Sequence, residues 1–127
     1  MTQRRHPLMD RFPQFFEPGL TGGLIDGGFT TGPGWDGVIA ELLERLAALG
    51  LPQEFRGTQV KEKFGELRFY HNGQCGGLFD EVESLIAAAS ARSVETCEQC
   101  GQAGSRVSDG GWVRSLCASC MQRRGER

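Results

Sequence analysis

The chain reads as a small α+β protein, and three observations predict this. Residues 36–49 and 78–95 carry apolar side chains at helical spacing. Between them, residues 58–71 alternate apolar and polar positions on either side of Phe64-Gly65-Glu66, the pattern of a β-hairpin. Toward the C-terminus, Cys97, Cys100, Cys117 and Cys120 fall in two C-x2-C pairs sixteen residues apart. The 127 residues are room for one domain. It divides into an aromatic and glycine-rich N-terminal segment (1–34), a helix–hairpin–helix core (35–95) and a cysteine module (96–127).

Composition narrows the function classes. Fourteen basic and sixteen acidic residues give a net charge of −2, so no global pull toward nucleic acid or anionic membrane is expected. The basic residues are twelve Arg and two Lys, a bias that suits bidentate pairing and also accompanies GC-rich coding. No apolar run approaches the ~18 residues of a membrane span. Residues 1–12 are charged and lack the apolar stretch of a secretory signal, so a cytoplasmic protein without membrane contact is expected.

Taken in order, Phe12, Phe15 and Phe16 lie in a short aromatic segment (10–16) suited to packing. Residues 19–37 hold eight glycines and predict an irregular loop without a phosphate-binding G-x-x-x-x-G-K-[ST] motif. In the first helix Val38, Ile39, Leu42, Leu46 and Leu49 form the buried stripe, with Glu41, Glu44 and Arg45 outside. Asp36 is the expected N-cap, and Gly50 and Pro52 end the helix. In the hairpin Val60, Glu62 and Phe64 share one face and Lys61 and Lys63 the other. Leu67 and Phe69 point one way in the second strand, Arg68 and Tyr70 the opposite way. In the second helix Leu78, Val82, Leu85, Ile86 and Ala89 are the buried stripe. Asp80, Glu81 and Glu83 near its start complement the helix dipole.

The cysteine spacing carries the strongest chemical signal. Two residues between sulfurs let both reach one ion at about 2.3 Å, and two such pairs close a tetrahedral S4 shell. That shell predicts one structural Zn2+ held by Cys97, Cys100, Cys117 and Cys120, with no open position for catalysis. Two disulfides are the alternative, which a cytoplasmic setting disfavours. Between the pairs, residues 105–108 and 112–116 read as strands joined by Asp109-Gly110-Gly111. Met121 to Arg124 form a helical turn or a tail. The layout is a zinc ribbon or treble-clef-like module, with Trp112 as a lid over the metal. Cys75 is expected as a free thiol in a glycine-rich loop; it and His71 lack further ligands for a second metal site.

The residues nominated for contact are Lys61, Lys63, Arg68 and Tyr70 on the outer hairpin face, and Arg106, Arg114, Arg123, Arg124 and Arg127 near the C-terminus. Basic and aromatic groups together can grip a phosphate backbone and stack a base, or form an ordinary solvated face. No nucleophile–base pairing, paired carboxylates or open metal site is found, so no enzyme is predicted.

The strings GWDGVIAELL, QVKEKFGELRFY, ARSVETCEQCG and GGWVRSLC, within residues 34–120, resemble a group of small zinc-binding proteins of bacterial phages and prophages. That group reads GW-x-x-L-L, QVKEKFG-x-LRFY, TCE-x-CG and GW-x-x-x-LC. Some of its members carry His where this chain has Cys120, and the glycine-rich residues 19–34 depart from the pattern. The resemblance brings no assigned activity, but a phage-like setting, small size and structural zinc suit a non-enzymatic protein that binds a host protein or protein–nucleic-acid complex. Inhibition of a defence system such as CRISPR, or of host transcription, would fit. A nucleic-acid-binding zinc-ribbon module is the alternative. The cysteine module is also similar to the zinc finger of DksA-type regulators, but no segment is long enough for their coiled-coil arm.

Overall fold

Two prolines set the beginning of the described chain, a computed structural model covering residues 6–17 and 29–125. Helices α1 (Pro7–Arg11) and α2 (Pro13–Phe16) each start on proline, where a missing N–H costs no helix bond. They bury Leu8, Phe12, Phe15 and Phe16. Phe29 then bridges to Val60, and a 3-10 turn (Pro33–Trp35) leads into α3 (Asp36–Ala48). Strands β1 (Gly57–Lys63) and β2 (Glu66–His71) form an antiparallel hairpin, followed by α4 (Phe79–Ser93). The cysteine segment contains a second antiparallel hairpin, β3 (Ser105–Asp109) and β4 (Trp112–Leu116), and then α5 (Ala118–Gly125).

The architecture is thus mixed helix and strand with a C-terminal cysteine cluster. Five α-helices occur among the described residues, where two were predicted. The additional three are short; α1 and α2 are too brief to show a period, and α5 extends the helical turn expected at residues 121–124 back to Ala118. The main core joins Val38, Ile39, Leu42, Leu43 and Leu46 of α3 to Val60, Leu67 and Phe69 of the hairpin and Val82 and Ala89 of α4. Trp35 and Phe55, both essentially inaccessible, complete it. Arg92 on α4 meets Glu41 on α3 at 2.7 Å across the helix pair.

Three local expectations are corrected. Asp36 does not cap α3: Trp35 holds the cap position without a side-chain bond, and the Asp36 carboxylate is 3.1 Å from His6 Nε2. The glycine-rich stretch is only partly irregular, since residues 33–35 form the 3-10 turn; residues 19–28 lie outside the described chain. Phe64 does not join the buried face. The register pairs Lys63 with Glu66, so the turn is Phe64-Gly65 alone and Glu66 belongs to β2.

Both turn residues have positive φ, 54° at Phe64 and 77° at Gly65, as a two-residue mirror-image turn requires. Glu62 Oε2 accepts the Gly65 N–H at 2.7 Å and braces the turn. Phe64 is 62% exposed, so no burial offsets its left-handed backbone. Phe64→Asn is therefore expected to stabilise the protein by about 1 kcal/mol. The urea midpoint should rise; a midpoint that falls would refute the assignment of strain to this residue.

Candidate metal centre and contact face

The end of α4 and the second hairpin bring the four cysteines together. A Ser93–Val94–Glu95 exit from α4 delivers Cys97, and Thr96 bridges Ala103 to close the loop around Cys100. Gly101, at φ 85°, follows the pair and lets its N–H reach the Cys97 carbonyl at 2.9 Å. β4 leads to Cys117, and one turn of α5 places Cys120 beside it; the Cys120 N–H points at the Cys117 Sγ, 3.4 Å away. The four Sγ atoms all lie within 4.8 Å of one another, so the group could hold a metal ion. A tetrahedron with 2.3 Å metal–sulfur bonds has sulfurs about 3.8 Å apart; Cys100 and Cys117 Sγ are 3.7 Å apart.

The surroundings favour thiolate at Cys97 and Cys117 and oppose it at Cys100. Burial alone would push the Cys97 thiol up, but backbone N–H groups of Cys117, Cys100 and Gln99 bring it down to about 6. Cys117 is likewise lowered, first by the Cys120 N–H, while at Cys100 the lowering Gln102 N–H is outweighed by desolvation and the three neighbouring sulfurs, which push it up to about 11. Four sulfurs this close resist sharing negative charge without a cation. Arg123 supplies a partial one, its guanidinium donating to Cys120 Sγ at 3.1 Å. Leu116, Val107 and Met121 pack around the cluster. Trp112 does not: it is 69% exposed at the hairpin tip, so the expected lid is absent from that position. Its place in register opposite Asp109, at the far end of β4 from the cysteines, explains this.

Glu98, between the two cysteines of the first pair, was not singled out by spacing. It is buried, and its Oε2 accepts the Gly32 N–H at 2.9 Å while its backbone carbonyl accepts the Gly34 N–H at 2.7 Å. Burial pushes its carboxyl pKa up, against the lowering effect of that Gly32 N–H. Gly34 is packed so tightly on this loop that a Cβ would sit 2.7 Å from the Glu98 carbonyl carbon. Trp35 donates its indole N–H to the Thr96 carbonyl at 2.9 Å. The residues ahead of α3 are thereby seated on the cysteine loop.

The nominated contact residues separate into two sets. In the first hairpin Lys61 stands opposite Arg68, Gln59 opposite Tyr70 and Lys63 opposite Glu66. Side chains directly opposite share a face, so Lys61, Lys63, Arg68 and Tyr70 lie together, joined by Gln59 and Glu66. Glu66 holds Arg68 at 3.0 Å and Arg106 of β3 at 3.6 Å, which adds Arg106 to the same side. Arg114 instead reaches the buried Glu98 at 3.6 Å, and Arg123, though exposed, donates to Cys120 Sγ. The Arg124 side chain and Arg127 lie outside the description.

Cys75 is a core residue, 3% exposed. Its Sγ is 3.9 Å from His71 Nδ1, and His71 Nε2 is 2.8 Å from Glu83 Oε2. Gly73 N–H donates to the same Nδ1, which leaves Nε2 as the protonated nitrogen facing Glu83. Burial and the nearby Glu83 charge push the Cys75 thiol up, away from the thiolate a nucleophile needs. No described helix is long and apolar enough to cross a membrane. No family model matches the chain, and no curated protein or solved structure matches it.

Proposed function

We propose that the chain is a non-enzymatic interaction protein, stabilised by one structural Zn2+ and presenting the outer face of its first hairpin to a partner. A C-x2-C loop, a β-hairpin and a last pair at a helix start give the cysteine segment a treble-clef-like reading. Zinc is the ion that a compact all-thiolate tetrahedron selects. The chain contributes four sulfurs and the Arg123 hydrogen bond to it. The ion would supply cross-linking alone, since all four corners are taken by protein.

The observation that carries the reading is the cross-strand register. It gathers Lys61, Lys63, Arg68 and Tyr70 on one side of a two-stranded sheet whose other side is core. Such a face, with positive charge around an aromatic ring 43% exposed, suits an acidic protein surface. The protonated, buried Cys75 supports a non-catalytic role. The resemblance to small phage and prophage zinc proteins supports a bacterial cytoplasmic partner: a defence complex or the transcription machinery, with inhibition as the outcome.

Affinity capture from a bacterial lysate tests this by comparing the protein with Lys61→Glu/Lys63→Glu. A stoichiometric partner recovered by the first and reduced at least tenfold by the second is expected. Equal recovery by both would overturn the assignment of the face. The alternative, direct nucleic-acid binding, is favoured by the same basic–aromatic grouping. It requires a low-salt gel shift that weakens steeply as salt rises.

A further inference from the structure

The outer edge of β2 is only half closed. In a two-residue hairpin the pair flanking the turn exchanges hydrogen bonds, and such pairs alternate with pairs whose backbone groups point away. Lys63–Glu66, Lys61–Arg68 and Gln59–Tyr70 are therefore the bonded pairs. Val60, in a pair of the other kind, sends its carbonyl to the Thr30 N–H on the far side of β1. Leu67 and Phe69 consequently turn their N–H and C=O groups outward. Past the irregularity between Gly57 and Gln59, the Asn72 N–H donates to the Arg56 carbonyl, so His71 also faces outward.

Helix α4 deals with the first of these positions. Ser93 Oγ accepts the Leu67 N–H at 2.9 Å, and Ser90 Oγ donates to the Leu67 carbonyl at 2.8 Å. For Phe69 and His71 no outward partner exists among the described residues. Instead the edge there borders a groove of about 470 Å3 between β2 and α4. Ile86, the half-exposed ring of Phe79 and Glu83, the last paired with His71 Nε2 at 2.8 Å, line its helix side; Tyr70 and Arg68 line its strand side. Arg68 Nε is buried without a hydrogen-bond partner. Unpaired strand edges are templates for another strand.

We propose that this groove takes an extended segment of a partner protein, which adds to β2 by pairing with the backbone of Phe69 and His71. An added strand would alternate its side chains between the two sides of the groove. One side presents Ile86 and Phe79 and calls for apolar residues. The other presents Arg68, bound to Glu66 through Nη2 but with Nε unmet, and Lys61 across the strand; their combined charge exceeds that of Glu66 and calls for acidic residues. The partner segment is thus an alternating acidic–apolar peptide. A second copy of this chain is a poorer occupant, because each β2 edge is flanked by its own α4. The proposal rests on the interaction reading and gives it a definite binding mode.

The test uses the full chain with zinc and a capped peptide of alternating glutamate and valine, seven residues long, followed by amide hydrogen exchange. Without peptide, the Phe69 and His71 amides should exchange at least tenfold faster than the Tyr70 amide. Saturating peptide should slow both at least tenfold. The same peptide N-methylated on alternate residues, unable to pair, should bind at least tenfold more weakly. Ile86→Arg, on the half-buried side of a helix that tolerates arginine, should abolish the protection while leaving metal content unchanged. Unchanged exchange at millimolar peptide, or equal binding of the N-methylated form, would overturn the proposal. So would protection that grows with protein concentration alone, which assigns the edge to a second copy. These readouts report on the edge, whereas Lys61→Glu/Lys63→Glu capture reports on the face, so either reading can fail separately.

Discussion

Cys97→Ser is expected to release the metal and unfold the C-terminal segment. Cys97 is fully buried, and its neighbours Leu116 and Cys120 form a cluster with few other apolar side chains. So small a cluster cannot hold two strands and a short helix by burial alone. Zinc–thiolate binding contributes on the order of 10 kcal/mol to folding in small zinc modules. Metal content should fall from one ion per chain to near zero, and amides of residues 96–125 should lose their protection. Cys100→Ser separates the two causes: Cys100 is exposed, so its replacement removes a ligand without disturbing packing. It should lose metal equally. Cys75→Ala, distant from the cluster, should retain it. Metal content unchanged in Cys97→Ser and Cys100→Ser would sink the structural-zinc reading.

Trp35→Ala is expected to be the most damaging substitution in the main core. The side chain is inaccessible and donates to the Thr96 carbonyl. Truncation of a buried Trp costs about 3–5 kcal/mol, and the Thr96 carbonyl is left without that donor. Trp35→Phe keeps much of the volume and loses the bond, so its cost should be nearer 1–2 kcal/mol. Urea denaturation measures both. Because Trp35 is anchored one residue before Cys97, chelator-driven metal release should also quicken in Trp35→Ala. Equal urea midpoints for wild type and Trp35→Ala would contradict the role given to this residue.

Much of the architecture was legible because its signals are local. Of the predicted α3 stripe the structure buries Val38, Ile39, Leu42 and Leu46, leaves Leu49 half-buried at the helix end, and adds Leu43. Alternation in residues 58–71 assigned Lys61, Lys63, Arg68 and Tyr70 to one side, which the register bears out. Spacing alone identified the four sulfurs that converge. The misses arose where a distant partner decides. The Asp36 carboxylate looks like a cap until His6, thirty residues earlier, is found beside it. Phe64 looks like a core residue by parity, but a two-residue turn forces it to the tip. Trp112 looks like a lid by proximity in sequence to Cys117, yet strand geometry carries it away from the cluster. Glu98 and Gly34 gave no signal, since their roles exist only once residues 32–35 lie against the cysteine loop. The unpaired edge of β2 depends on which serines α4 happens to present.

Besides the Glu66–Arg106 pair, the two hairpins meet at a buried polar contact. Ser115, buried in β4, donates its hydroxyl to the carbonyl of Gly65 in the turn of the other hairpin. A two-stranded ribbon is marginal by itself in water, so each of these ribbons borrows rigidity from its neighbour. The practical consequence concerns dissection of the chain. A fragment ending near residue 95 would forfeit the buttress beneath Gly65 together with the acceptor for Trp35. A fragment beginning there would forfeit the wall against which the cysteine loop leans. Shortened versions made for binding studies should therefore be designed around both ribbons, not cut between them.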